Sequence, residues 1–311
     1  MIYPSNVRIY EVGPRDGLQN EPRPVTTETK LEYIRLLAAA GLREIEATSF
    51  VSPRAIPQLA DADALMPRLR QTAPPGVRYP VLIPNERGMA RAEAAGADSL
   101  AVFTAASDAF TERNIGMSIE ESLAAFEPVL KRATELGWWT RAYVSTAFGC
   151  PFTGRVEVSK VVDVSMRLYE LGATQICLGD TIGVGVPSQV HELSAATTAA
   201  GLPLENTAFH FHDTRGTALA NVLAGLEDGV GTFDSSAGGT GGCPYAPGAA
   251  GNLATEDLVY MLDGLGIEHG VHLGGVLEAA RFIAGALGRP LESKVGQAGG
   301  WEPTTGQRLY S

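Results

Sequence analysis

Residues 7–17 read VRIYEVGPRDG. An apolar, β-rich run gives way within a few positions to an acid, a Gly-Pro break and an Arg-Asp pair. This predicts a first strand with a sharp polar exit. An open, doubly wound α/β sheet usually carries GxGxxG here, because glycines let the backbone approach a dinucleotide. This exit lacks that pattern. A closed barrel places its functional groups at the exits of its strands, which is where Arg15 and Asp16 fall.

The alternation begun here continues along the chain. Further strand-like runs are REIEATSF (43–50), RYPVLIP (78–84), SLAVFTA (99–105), TRAYVST (140–146), TQICLGD (174–180), TAFHFHD (207–213) and TFDSSAG (232–238). Between them lie stretches such as 28–41, 119–137 and 158–172, whose apolar residues recur at three and four. Gly41, Gly96, Gly137, Gly172 and Gly229 mark helix C-termini. Eight strands, each followed by a helix or helix-like turn, predict an α/β fold of the (β/α)8 TIM-barrel type with additional C-terminal helices. We expect one domain over residues 1–311, with the barrel at about 5–265 and a helical extension at about 266–311.

Composition narrows the function. The chain has 311 residues, 45% of them hydrophobic, and a formal net charge of −11. A diffuse acidic surface argues against nucleic acid or an anionic membrane as partner, but leaves a small anionic substrate open. Three scattered cysteines (Cys150, Cys177 and Cys243) do not make a disulfide framework, so a reduced, cytoplasmic setting is expected. No apolar run of about 18 residues predicts a membrane span. The first residues carry no signal-peptide or transit pattern.

The strand exits carry the chemistry. In AFHFHD, alternation puts His210 and His212 on one face, about 6–7 Å apart, close enough to share one metal. Barrel closure brings Asp16 to the same place despite the separation in sequence. After the last strand comes SAGGTGGCPYAPGAAGN (236–252), mostly Gly and Ala, which reads as a mobile loop presenting Cys243. Asn252 ends this loop, and serves either as a helix N-cap or as a metal ligand through the same side-chain oxygen. Glu11, Glu46 and Asp180 lie at or near strand ends. Buried carboxylates need partners, so each belongs either to a metal site and its surroundings or to a structural salt-bridge layer. Asp, two His and Asn suit a divalent ion of the Mg2+ or Mn2+ type with open positions, better than a closed zinc site. Open positions suit a chelating hydroxy-acid or keto-acid.

Taken together, EVGPRDGLQNE, IEATSFVSP, CLGDTIGVG, HFHDT, GGCPYAPGAAGN and NLATEDLVYML resemble the hydroxymethylglutaryl-CoA lyase family, from Val7 to the SKV near the C-terminus. The resemblance implies metal-dependent cleavage of a 3-hydroxyacyl-CoA, with 3-hydroxy-3-methylglutaryl-CoA giving acetyl-CoA and acetoacetate. It implies Asp16, His210, His212 and Asn252 as ligands of Mg2+ or Mn2+. It implies that Arg15 stabilises the developing enolate, that Cys243 takes part in proton transfer, and that Glu46 and Asp180 act beside the metal as base or support. Glu11 and Glu256 would support the site, and Gln19 would join Arg15 in binding substrate. A homodimer or higher homo-oligomer is expected by analogy.

Two positions depart from the family pattern. Arg215 follows HDT where a Tyr is usual, and Thr240 replaces a Leu before the loop Cys. An extra Arg beside the metal would suit an acid on a different substrate, such as citramalyl-CoA or a longer branched acyl-CoA. A condensing acyl-CoA synthase and a non-catalytic barrel are the remaining alternatives. The first usually carries a long C-terminal extension, and the second would have lost ligands or the Cys.

Overall fold

A computed structural model describes residues 3–242, 251–290 and 292–299. Its strands are β1 (Arg8–Glu11), β2 (Glu44–Ile45), β3 (Thr48–Ser49), β4 (Val81–Leu82), β5 (Ser99–Ala105), β6 (Trp139–Ser145), β7 (Gln175–Asp180), β8 (Thr207–Phe211) and β9 (Thr232–Ser235). All pair in parallel, in the order β2-β1-β9-β8-β7-β6-β5-β4-β3. The two ends of that order are halves of one extended run, because β2 pairs with β1 and β3 pairs with β4. Between them, Glu46 N–H donates to the Glu11 carbonyl at 2.8 Å and Ala47 N–H to the Pro80 carbonyl at 2.9 Å. The sheet therefore closes on itself as the expected barrel of eight staves.

Helices cross over between successive staves, as parallel pairing requires. The stretches anticipated from periodicity form Thr27–Ala39, Ile119–Glu135 and Val158–Glu170. The five glycines expected at helix ends all have positive φ, from 69° at Gly137 to 104° at Gly41. Beyond the barrel helix Thr255–Leu265, the helix Leu273–Leu287 lies against Thr27–Ala39. Gly275 permits that approach, since a Cβ there would sit 2.8 Å from the Cβ of Ala40. A short helix, Lys294–Ala298, follows. Among the described residues no helix is long and apolar enough to cross a membrane.

Alternation along the strands separates two cores. Outward residues such as Phe209, Phe211, Val144 and Phe233 join the large apolar layer under the helices. Inward residues make a small cluster of Leu82, Ala101, Tyr143, Cys177 and Ala208. Below that cluster the interior is charged. Arg141 and Asp234 form a 2.5 Å ion pair, with side chains 0% and 1% exposed. The Arg141 guanidinium lies 3.8 Å from the Tyr10 ring centroid, so a π-face covers part of the cation that no acceptor reaches.

An ion pair this deep is costly to break from one side, because the partner is left charged without solvent. Arg141→Met is expected to lower unfolding free energy by about 3–5 kcal/mol. Adding Asp234→Leu should recover much of that loss. Urea unfolding followed by circular dichroism checks both, and an unchanged midpoint for Arg141→Met contradicts the assignment.

Candidate active site

The exit of β1 is a tight turn. The N–H groups of Arg15, Asp16 and Gly17 all donate to the Val12 carbonyl, at 3.1, 2.8 and 3.1 Å. Gly13 is required by close approach: a Cβ there would run into the Tyr33 hydroxyl and the Glu11 carboxylate. The turn delivers Arg15 and Asp16 to the barrel mouth. Arg15 donates through Nε to Glu46 Oε1 and through Nη1 to Asp16 Oδ1, the latter at 2.6 Å. The other oxygen of Glu46 accepts from the hydroxyls of Tyr10, at 2.9 Å, and Tyr143, at 2.6 Å. Burial opposes the charge on Arg15, but Glu46 and Asp16 outweigh it and hold the guanidinium firmly protonated.

Asp16, His210 and His212 bring ligand atoms within 4.8 Å of one another. His210 and His212 share the inward face of β8 and its exit, with ring centroids 5.2 Å apart. Asn252 joins them because residues 251–254 run back along the ends of β8 and β9. Asp213 N–H donates to the Gly251 carbonyl at 2.7 Å, and Leu253 N–H to the Phe211 carbonyl at 3.0 Å. Asn252 Nδ2 donates to Asp16 Oδ2 at 2.7 Å and to the Thr240 carbonyl at 3.1 Å. The helix that follows starts at Thr255 behind Ala254, so Asn252 is not its cap.

These four side chains fit a divalent cation. Asn252 Oδ1 and His212 Nδ1 are buried and have no hydrogen-bond partner among the described residues. A buried acceptor is costly to leave empty, and an electrophile is the natural partner for it. Burial, and then His210, lower the His212 pKa to about 3, so its imidazole is neutral. Burial raises Asp16, but Arg15 and His210 prevail and bring it to about 2, so it is ionised. Neutral imidazole and ionised carboxylate are the forms that bind metal. Two nitrogens and two oxygens, with no thiolate among the four, suit a hard or borderline divalent ion.

The remaining expected residues are divided. Arg15, Asp16, Gln19, His210 and His212 line one cavity of about 470 Å3. Glu11 and Glu256 support the last strand's exit from outside the cavity. Glu11 accepts from Gly13 N–H at 2.8 Å, Ala237 N–H at 3.0 Å and the Thr255 hydroxyl at 2.7 Å. Burial nevertheless pushes its carboxyl up to about 7. Glu256 accepts from Gly238 N–H at 3.0 Å and from the Ser293 hydroxyl at 2.5 Å.

Asp180 does not reach the cavity. Alternation turns it to the outer face of β7, where the N–H groups of Val184 and Gly185 cap its two oxygens, each at 2.9 Å. It holds a loop, and a role as base is not supported by that position. Arg215 is exposed and donates to the carbonyls of Ile182, at 2.7 Å, and Gly183, at 3.0 Å. The expectation that it sits beside the metal facing substrate is corrected: its charge satisfies loop carbonyls instead. Thr240 is buried, with its hydroxyl 2.5 Å from that of Ser236. Cys243 lies outside the described residues; its neighbour Gly242 lines the cavity.

Sequence reasoning passed over Tyr10, Tyr143, Arg141 and Asp234. The signal was present in TRAYVST and TFDSSAG, where alternation puts Arg141 with Tyr143 and Asp234 with Thr232 on the inward face. These side chains lie within the strands and not at their exits.

The chain resembles known proteins over most of its length. The model of the HMGL-like family matches residues 6–283. The mitochondrial hydroxymethylglutaryl-CoA lyase of Bos taurus is 51% identical over 296 residues, covering 95% of this chain and 90% of that protein. The crystal structure of hydroxymethylglutaryl-CoA lyase from Pseudomonas aeruginosa superposes with a TM-score of 0.92 at 45% identity, covering 96% of this chain and 98% of that one. An HMG-CoA lyase from Acinetobacter baumannii, solved with coenzyme A and 3-methylmalate, has a TM-score of 0.90 at 36% identity, covering 97% and 99%.

If the orphaned Asn252 oxygen is a ligand, Asn252→Ala should weaken Mn2+ binding by about tenfold or more, the scale seen when a metal site loses a supporting group. Titration of free Mn2+ by electron paramagnetic resonance checks this. Equal affinity in the variant removes Asn252 from the site.

Proposed function

The chain belongs to the HMGL-like family, and we propose that it is a divalent-cation-dependent lyase that cleaves 3-hydroxy-3-methylglutaryl-CoA to acetyl-CoA and acetoacetate. The observation that carries this reading is the meeting of Asp16, His210 and His212 with Arg15 in one cavity, with Asn252, whose oxygen is unpartnered among the described residues, bonded to Asp16 behind them.

The reaction removes the proton of a tertiary hydroxyl and breaks the adjacent carbon–carbon bond. The bonding electron pair passes to the acetyl thioester as an enolate, whose carbon is then protonated. A Mg2+ or Mn2+ ion held by Asp16, His210, His212 and Asn252 would acidify the substrate hydroxyl and fix its orientation.

Arg15 supplies the complementary charge. Glu46 and Asp16 each hold one of its nitrogens, so the guanidinium is set before substrate arrives. A fixed cation at the developing enolate oxygen stabilises the transition state without reorganising. Glu46, engaged by Arg15 and two tyrosines, acts by positioning Arg15 rather than by taking the substrate proton. Tyr143 closes the cavity wall beside Arg15, with the guanidinium carbon 5.6 Å from its ring centroid. Cys243, next in sequence to the cavity-lining Gly242, is the group assigned to protonate the enolate.

Acetyl-CoA release from a panel of 3-hydroxyacyl-CoAs, with and without Mg2+ or Mn2+, tests the assignment. We expect 3-hydroxy-3-methylglutaryl-CoA to be the best substrate and chelation to abolish turnover. Arg15→Met should lower kcat by about 10²–10³-fold with a small change in KM, the pattern for loss of a transition-state contact. A variant that changes only KM places Arg15 in ground-state binding instead. Preference for citramalyl-CoA, or full activity in chelator, overturns the proposal.

A further inference from the structure

His210 is held from behind. Its Nδ1 lies 3.1 Å from Asp234 Oδ2, on the neighbouring strand β9 and within the barrel interior. The other oxygen of Asp234 accepts from Arg141 Nη2 at 2.5 Å. Cys177 Sγ approaches Asp234 Oδ2 at 3.6 Å as a further, weaker donor. Arg141 and Cys177 are thus both donors to Asp234, and Asp234 stands in an ion pair with a guanidinium that cannot give up its proton. A carboxylate in that setting only accepts. The proton of a neutral His210 then sits on Nδ1, and its lone pair on Nε2.

We propose that Asp234, anchored by Arg141, is a positioning residue that locks His210 into the Nδ1–H tautomer and so presents Nε2 to Asp16 and His212. Arg141 makes the lock rigid. It is fully buried, and its guanidinium carbon lies 3.8 Å from the Tyr10 ring centroid and 4.9 Å from that of Tyr143. The hydroxyls of those two tyrosines hold Glu46, which in turn holds Arg15. One chain of contacts thus runs from His210 through Asp234 and Arg141 to Tyr10 and Tyr143, and from them through Glu46 to Arg15 and Asp16. His212 differs in that its Nδ1 is buried with no hydrogen-bond partner among the described residues.

This inference rests on the reading of Asp16, His210, His212 and Asn252 as a cation site, and the experiment separates the two. Long-range proton–nitrogen correlation spectra of the metal-free protein resolve the tautomers of its five histidines. A His210→Gln variant assigns the His210 signals. We expect the Nδ1–H form for wild-type His210, and a mixture of both forms in Asp234→Asn. We also expect Mn2+ alone to bind Asp234→Asn about tenfold or more weakly, the loss typical of removing a support behind a ligand. If wild-type His210 carries its proton on Nε2, the proposal is overturned whether or not the variant folds. If Asp234→Asn lowers the unfolding midpoint while tautomer and Mn2+ affinity stay as in wild type, Asp234 is structural only and the proposal is again overturned. Failure of the wild type to bind Mn2+ defeats the cation-site reading, while the tautomer result still judges the lock.

Discussion

The carboxylate of Glu46 has no exposure to solvent, and the mouth of the barrel is arranged around satisfying it. A buried anion without partners would be prohibitive; three donors, from Arg15, Tyr10 and Tyr143, make it tolerable. That constraint fixes Arg15, and Arg15 fixes Asp16. In the ion-pair cluster around it, two guanidiniums (Arg15 and Arg141) face three carboxylates (Glu46, Asp16 and Asp234). The uncompensated negative charge falls beside two imidazoles and an amide oxygen, where a divalent cation would complete the balance. The site is thus the place where the charged core of the barrel is left unfinished.

The loop after β9 is built on the same economy. Its start is held by two buried acids, Glu11 on Ala237 and Glu256 on Gly238. Its end is held by the backbone bonds that tie residues 251–254 to β8 and β9. Thr240, the departure from the family pattern, belongs to the anchored part, where its hydroxyl meets Ser236 and its carbonyl meets Asn252.

Much of this was legible in the residues. Periodicity and helix-ending glycines gave the barrel, since both report local backbone geometry. His-x-His on one strand and Asp16 at a distant exit gave the cluster, because closure brings the first and last staves together. The single run at 43–50 became two short pieces, as its halves pair with different neighbours. What was misread depended on side-chain direction and competition. Asp180 ends a strand, yet alternation turns it outward onto loop amides. Arg215 is near the site in sequence, yet free carbonyls at Ile182 and Gly183 capture it. Asn252 had two possible roles, and the helix start at Thr255 excludes the cap. Arg141 and Asp234 went unread because a mid-strand charge acquires meaning only through partners on other staves.

The central claim is that Asp16, His210, His212 and Asn252 hold one divalent cation at the barrel mouth. The most direct measurement is pulsed electron paramagnetic resonance of the Mn2+-loaded protein, which reads the nitrogen nuclei bound to the ion. The account predicts couplings from two histidine nitrogens, with one lost in His212→Ala and the other in His210→Ala. A spectrum with no directly bound nitrogen, or one unchanged by either substitution, would contradict it.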